Sequence, residues 1–305
     1  MTLLRAETVP ATDRRGSWTP EIDARMARLQ TPIRRLLDSH LSSLGAATTV
    51  TLVPDAHYPY HPSTGMVTDP AVVGATVAFL ERETSTDVAV AGTSEYVTAE
   101  RTSAYLDLDD VLDRFDASLV DLSETPRTTE TFTLGDQSVA VAVPDRLTTS
   151  SVIPLPTLRP TQDGPIAGGM RTLASHVDCS VAGGVGAAAA TIAVDPELAV
   201  LDATTVYAGK SYAADTLLAG PTAAVDAVGA RLIDRSVSDD PAIRHGLRTA
   251  PESIGVEGVD VTTLTARCPS GELPPPTKPH PAVSLAYRTY AAVSGDAVPP
   301  QLDGR

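Results

Sequence analysis

Residues 68–83, TDPAVVGATVAFLERE, decide the fold, because they read as a capped helix set between two runs that read as strands. Thr68 or Asp69 can cap, Pro70 suits the first helical position, and Val73, Val77 and Leu80 recur at helical spacing. Before the helix, ATTVTLVP (47–54) is a β-branched run closed by Pro54. After it, TDVAVAG (86–92) is a second apolar strand. Strand, helix and strand at this spacing make a βαβ unit, which implies parallel strands and a right-handed crossover.

Working outward, short strands are expected at ASLVDL, ETFTL, SVAVAV, SSVIPLP, CSVAGG and LAVLDA, and helices near 163–176 and 221–235. The pair ETFTL and SVAVAV is separated by Gly135 and Asp136 and reads as a β-hairpin inserted into the α/β alternation. Towards the N-terminus, TPEIDARMARLQTPIRRLLDSHLSSL (19–44) suggests two helices, with Thr19 and Thr31 as caps and the second beginning at Pro32. Towards the C-terminus, the prolines of CPSGELPPPTKPHP (268–281) mark a surface linker before a last helix, AVSLAYRTYAAVSG. The expectation is a three-layer α/β fold with a mostly parallel sheet, a β-hairpin insertion and helical N- and C-terminal extensions. Its parts are a helical arm (1–45), an α/β domain (46–265) and a linker with a terminal helix and tail (266–305).

Composition narrows the partners. The chain has 305 residues, with 23 Lys and Arg against 38 Asp and Glu, a net charge of −15. No basic stripe is present, so nucleic acid and anionic membranes are not expected partners. Only Lys210 and Lys278 are lysines, and Asp, Ala, Val and Thr abound, a pattern that resembles proteins of salt-loving archaea. At molar salt the Debye length is about 3 Å, which screens dense carboxylates from one another. No run of about 18 apolar residues occurs, and the expected location is the cytoplasm. Two cysteines, Cys179 and Cys268, cannot by themselves build an iron–sulfur cluster or a thiolate zinc site.

The segments TLVPD, TDPAVVGATVAFL, DVAVAGTSE, VIPLPTLRP, AVLDATTVYAGKS and, most specifically, LLAGPTAAVDAVGARLI together resemble the domain of unknown function 362 family over roughly residues 48–260. The resemblance implies an α/β fold and, because some members carry ferredoxin-type iron–sulfur modules, a separate redox protein as a partner. Where the family commonly has Lys-Pro-Asn, this chain has Val53, Pro54 and Asp55. Arg159 and Thr161 stand in place of the family's lysine and histidine, and no lysine–asparagine pair is evident around GGMRTLASH.

In open parallel sheets the ligand crevice lies beyond the carboxyl ends of the strands. Those ends, together with the resemblance, give Asp55, Thr68, Glu95, Arg159, Asp202, Lys210 and Asp226 as candidate ligand contacts for a small anionic molecule or a hard cation. Arg159 and Lys210 would hold the anionic group, and the carboxylates would bind a cation or move a proton. His57 and His61 in HYPYH are four apart, but Pro59 and Pro62 oppose the helix that would bring them together on a metal. STGMVTDP offers hydroxyls and amides to an anion at a helix start. AGGVGAAAATIA is glycine-rich but lacks the lysine of a phosphate loop, and no Gly-x-Ser-x-Gly elbow exists.

Asp226 poses the sharpest question. On a helix, Val225, Val228, Gly229 and Leu232 share one face and Asp226 flanks it beside Thr222 and Ile233, so its carboxylate is half buried and needs donors. It either meets a ligand in the crevice or anchors its helix to a loop. The alternative to ligand binding for the chain as a whole is a non-catalytic assembly partner of a redox protein.

Overall fold

The first element is a strand, not the opening of a helical arm. A computed structural model describes residues 2–11, 19, 21–56, 60–93, 97–247 and 250–271. In it β1 (Leu3–Thr8) lies within a sheet, with Leu4 and Ala6 turned into the core. Next come α1 (Ile22–Leu37) and a single turn, α2 (Leu41–Leu44). The helix α1 runs unbroken through Pro32, which corrects the expectation of two helices meeting there. Pro32 lacks an amide, at a cost of roughly 3 kcal/mol. Burial of Leu29, Ile33, Leu36 and Leu37 in the core offsets it.

The βαβ unit is present as β2 (Thr49–Pro54), α3 (Pro70–Glu83) and β3 (Asp87–Gly92). Asp69 caps α3 by accepting the Ala71 amide at 2.9 Å, with Pro70 at the first helical position. Two short helices, α4 (Ala99–Tyr105) and α5 (Leu108–Leu112), lead to β4 (Ser118–Asp121). The inserted hairpin follows as β5 (Arg127–Leu134) and β6 (Gln137–Pro144), in antiparallel register through Leu134↔Gln137. A turn of helix, α6 (Asp145–Thr148), leads into β7 (Ser151–Leu155).

Beyond β7 come α7 (Gly168–Ala174), the two-residue β8 (Asp178–Cys179) against β6, and α8 (Gly183–Val194). The strand expected over CSVAGG therefore shrinks to β8, and its glycines open a helix. β9 (Ala199–Tyr207) and β10 (Ser211–Gly220) pair antiparallel, and LLAG forms the end of β10. The described chain closes with α9 (Thr222–Leu232), α10 (Pro241–Gly246), β11 (Gly255–Glu257) and α11 (Val261–Thr265). The proline-rich linker beyond 271 and the expected last helix lie outside the described residues.

The strands form an all-parallel sheet, β4-β3-β2-β7, a mixed sheet, β9-β10-β1-β11, joined to it along β7 and β9, and a small antiparallel sheet, β5-β6-β8. Along this seam the Glu197 amide donates to the Val152 carbonyl at 3.0 Å, and the Asp202 amide to the Pro156 carbonyl at 2.8 Å. Pro154, between them, has no amide to give, so the ladder is interrupted. Alternate residues face opposite layers. Val50, Leu52, Ile153, Leu155, Val200 and Leu217 share a core with α1 and α3, whereas Leu4, Ala199, Leu201 and Leu218 pack with α9 on the other face, and Val53 and Val152 with α7 and α8. This is a three-layer α/β fold. The carboxyl ends of β2 and β7 open beside the seam.

Candidate functional site

Asp55 follows β2 directly, and its backbone shows how the strand ends are tied. Its amide donates to the Leu155 carbonyl at 3.2 Å and to Thr68 Oγ1 at 2.9 Å. Thr68 donates its hydroxyl to the same Leu155 carbonyl, and its amide donates to the Asp55 carbonyl at 2.9 Å. Thr68 thus fastens the ends of β2 and β7 to the start of α3. The Asp55 carboxylate is almost fully buried and accepts Nε and Nη2 of Arg159 at 3.2–3.4 Å. Arg159 keeps 15 % of its side chain exposed, and its Nη1 has no partner among the described residues.

This ion pair forms one wall of a cleft of about 380 Å³. A second pair lines the cleft through Arg171 of α7, which donates to Asp240 at 2.8 and 3.1 Å and to the Asp163 carbonyl at 2.7 and 3.2 Å. Asp240 also accepts the Ala242 amide at 3.2 Å and so caps α10. Gly183 opens the twelve-residue α8 at the cleft, and its N-cap, Ala182, supplies no side-chain acceptor to the first amides. Unsatisfied amides and the helix dipole favour an anion there. Cys179 lines the cleft too, but it donates to the Gly186 carbonyl at 3.5 Å, and burial together with the Asp178 charge pushes its pKa up. It is held as a thiol rather than poised as a nucleophile.

Of the candidates read from sequence, Asp55 and Arg159 line the cleft. Asp202 does not. It sits 2 % exposed beneath the start of α3, where Oδ2 accepts the Asp69 amide at 2.8 Å and Oδ1 accepts the amide and hydroxyl of Thr204 at 2.8 and 2.7 Å. Asp69 in turn pairs with buried Arg25 at 3.1 Å. Burial, and then the charge of Asp69, push Asp202 up to about 6, while burial raises Asp69 against the pull of Arg25.

Asp226 is 1 % exposed, and both of its oxygens are taken: Oδ1 accepts the Gly169 amide at 2.7 Å and Oδ2 the Met170 amide at 2.9 Å. The carboxylate on α9 therefore caps α7: it is an anchor, but fully rather than half buried and to a helix start rather than to a loop, and both oxygens are engaged there. Burial pushes it up to about 7 despite those two amides. The neighbouring Thr222 hydroxyl, buried, makes no hydrogen bond among the described residues.

Lys210 lies in the β9–β10 turn with Nζ 5.1 Å from the Tyr212 ring centroid and does not line the cleft. Glu95 and His57 lie outside the described residues. His61 uses Nδ1 to accept the Ser63 amide at 3.1 Å in the turn Pro62–Thr64. Among the described residues no group of three or more His, Cys, Asp and Glu could hold a metal ion, and no helix is long and apolar enough to cross a membrane.

The Arg171–Asp240 pair escaped sequence reasoning. Asp240 before Pro241 repeats the cap signal of Asp69 before Pro70, but nothing local joins it to an arginine 69 residues away. No protein-family model, curated protein or solved structure matches the chain, so its function is read from the geometry of this cleft.

Proposed function

We propose that the protein binds a small anionic ligand in the cleft at the ends of β2 and β7, with Arg159 as its anchor. One observation carries this reading: buried Asp55 fixes the Arg159 guanidinium on one edge, and its Nη1 has no partner among the described residues, in the cleft that the start of α8 also lines. A guanidinium held in this way spends little further entropy on binding a carboxylate or phosphate, and it offers a planar fork to either. The reading is one of binding, since Cys179 is kept protonated and neither Asp202 nor Asp226 reaches the cleft.

The same reading extends to kinship with the domain of unknown function 362 family. Two segments that carry the resemblance meet around α7: VIPLPTLRP supplies Arg159 to the cleft, and LLAGPTAAVDAVGARLI supplies Asp226 to the two amides that follow Gly168. Assembly with a redox protein is less well supported. The exposed large apolar side chains among the described residues are Leu3, Tyr105 and Ile192, on three different elements, which is not the contiguous patch a docking face needs.

The test is calorimetric titration with inorganic phosphate and with simple mono- and dicarboxylates at constant potassium chloride. Arg159→Lys keeps a charge beside Asp55 but loses the fork. It is expected to weaken binding by about tenfold or more, and Arg159→Gln by more again. Equal affinity in wild type and both variants would exclude Arg159 as the anchor.

A further inference from the structure

A second cavity, of about 600 Å³, lies at the far ends of α9 and α10. Arg231 in the last turn of α9, Arg235 just beyond it and Arg244 in α10 all line it. None of the three guanidiniums makes a hydrogen bond or ion pair among the described residues. In a chain with 38 acidic residues against 23 basic ones, three unmatched arginines on one cavity are costly company, because like charges on one wall repel. The more deeply set arginines are handled differently: buried Arg25 and part-buried Arg159 and Arg171 each have an aspartate.

The remaining lining divides by chemistry. Ser236 and Ser238 contribute hydroxyls, mutually hydrogen-bonded at 2.9 Å, while Val237, Ile243, Leu247 and Pro251 make an apolar wall. Guanidinium forks suit a phosphate, which takes two parallel hydrogen bonds from each. The apolar wall has no use for a bare ion but can cover a ring or hydrocarbon body. The volume falls within the roughly 300–1,000 Å³ of small-molecule sites.

We propose that this cavity is a second ligand site, separate from the cleft, for a phosphorylated small molecule with an apolar or aromatic body. A rival account places the arginines at the carbonyl ends of α9 and α10 simply to meet the helix dipoles. That account moves stability by a few tenths of a kcal/mol per arginine and moves ligand affinity not at all.

The two are separated by titrating wild type, an Arg235→Gln/Arg244→Gln double variant and Arg159→Lys with four probes: AMP, phenyl phosphate, glycerol 3-phosphate and inorganic phosphate. AMP and phenyl phosphate are expected to bind wild type at least tenfold more tightly than glycerol 3-phosphate or inorganic phosphate. The double variant is expected to lose about 100-fold in affinity for both, with its melting temperature nearly unchanged, and Arg159→Lys is expected to leave that binding intact. The proposal is overturned if neither aromatic phosphate binds at millimolar concentration, or if the double variant binds as wild type does. It is overturned equally if the body of the probe makes no difference, or if Arg159→Lys alone abolishes binding, which would assign the probes to the cleft.

Discussion

Gly168→Ala should destabilise the protein far more than a one-methyl change in an open site, and the excess should vanish when Asp226 is removed. Gly168 has φ +58°, a left-handed conformation that costs an L-residue roughly 1–2 kcal/mol. A Cβ there would also stand 2.6 Å from Cγ and both oxygens of Asp226. The carboxylate cannot retreat without giving up an amide, since its two oxygens hold Gly169 and Met170 at 2.7 and 2.9 Å. At pH 8, above the pKa of about 7 at which Asp226 ionises, losing one hydrogen bond to a charged acceptor costs about 1.5–3 kcal/mol. The sum is about 2.5–5 kcal/mol, a large share of the roughly 5–15 kcal/mol that holds a domain together.

In an Asp226→Ala background the clash is gone, and only the backbone cost of about 1–2 kcal/mol should remain. Urea unfolding of wild type, both single variants and the double variant at constant salt gives the coupling, expected at about 2–3 kcal/mol. Additive effects, or a Gly168→Ala protein within about 1 kcal/mol of wild type, would refute the account of Asp226 as the cap of α7. The cleft supplies a second readout. Arg171 and Ser175 follow from α7, so Gly168→Ala should weaken anion binding as well.

Two further outcomes follow from the buried charges. Burial holds Asp202 up at about 6 and Asp226 at about 7, above the 3.8 of a free carboxyl, so the folded chain keeps protons that the unfolded chain releases. Their contribution to stability is full below about pH 4 and is lost as pH rises through about 6 to 7, with a ceiling of about 4 kcal/mol for Asp226. Asp226→Asn and Asp202→Asn should each flatten the decline in melting temperature between pH 5 and pH 8, and variants that kept the wild-type slope would contradict the assignment. Arg25→Met strands the buried Asp69 carboxylate and should cost roughly 3–5 kcal/mol. Adding Asp69→Asn, which preserves the cap on α3, should recover much of that, whereas a single variant melting like wild type would show the pair to be idle.

What could be read from sequence was whatever is fixed locally. The βαβ unit is written in alternation, helical spacing and the Asp69–Pro70 cap within 46 residues, and the β5–β6 hairpin in the residues on either side of Gly135 and Asp136. β1 was illegible because its partners are distant: Arg5 pairs with Ala219 and with Glu257, and only Leu4 and Ala6 are apolar and buried among six residues. α8 was illegible for another reason. Its buried stretch is alanine, the best helix former, and its outer positions include glycine, valine and isoleucine, so no polar stripe sets a 3.6-residue rhythm. The strand-end rule located Asp55 and Arg159 because topology alone dictates them. It could not separate them from Asp202 and Asp226, whose amide partners lie 133 and 57 residues away.

That separation bears on how an acidic protein would hold the anion proposed for its cleft. With a net charge of −15, the long-range field opposes an anionic ligand, so attraction must come from groups oriented at close range. Within the cleft each guanidinium is neutralised by a buried aspartate, Arg159 by Asp55 and Arg171 by Asp240. The local net charge is therefore small, and the favourable terms are the unpartnered Nη1 of Arg159 and the amides at the start of α8, all fixed in direction before a ligand arrives. Fixed donors at contact distance are screened far less by salt than exposed charges are. The buried aspartates thus have a use that a tally of acidic residues hides: they set the angle of the guanidiniums, and under the proposed function they would keep the cleft from acting as a bare cation towards every anion.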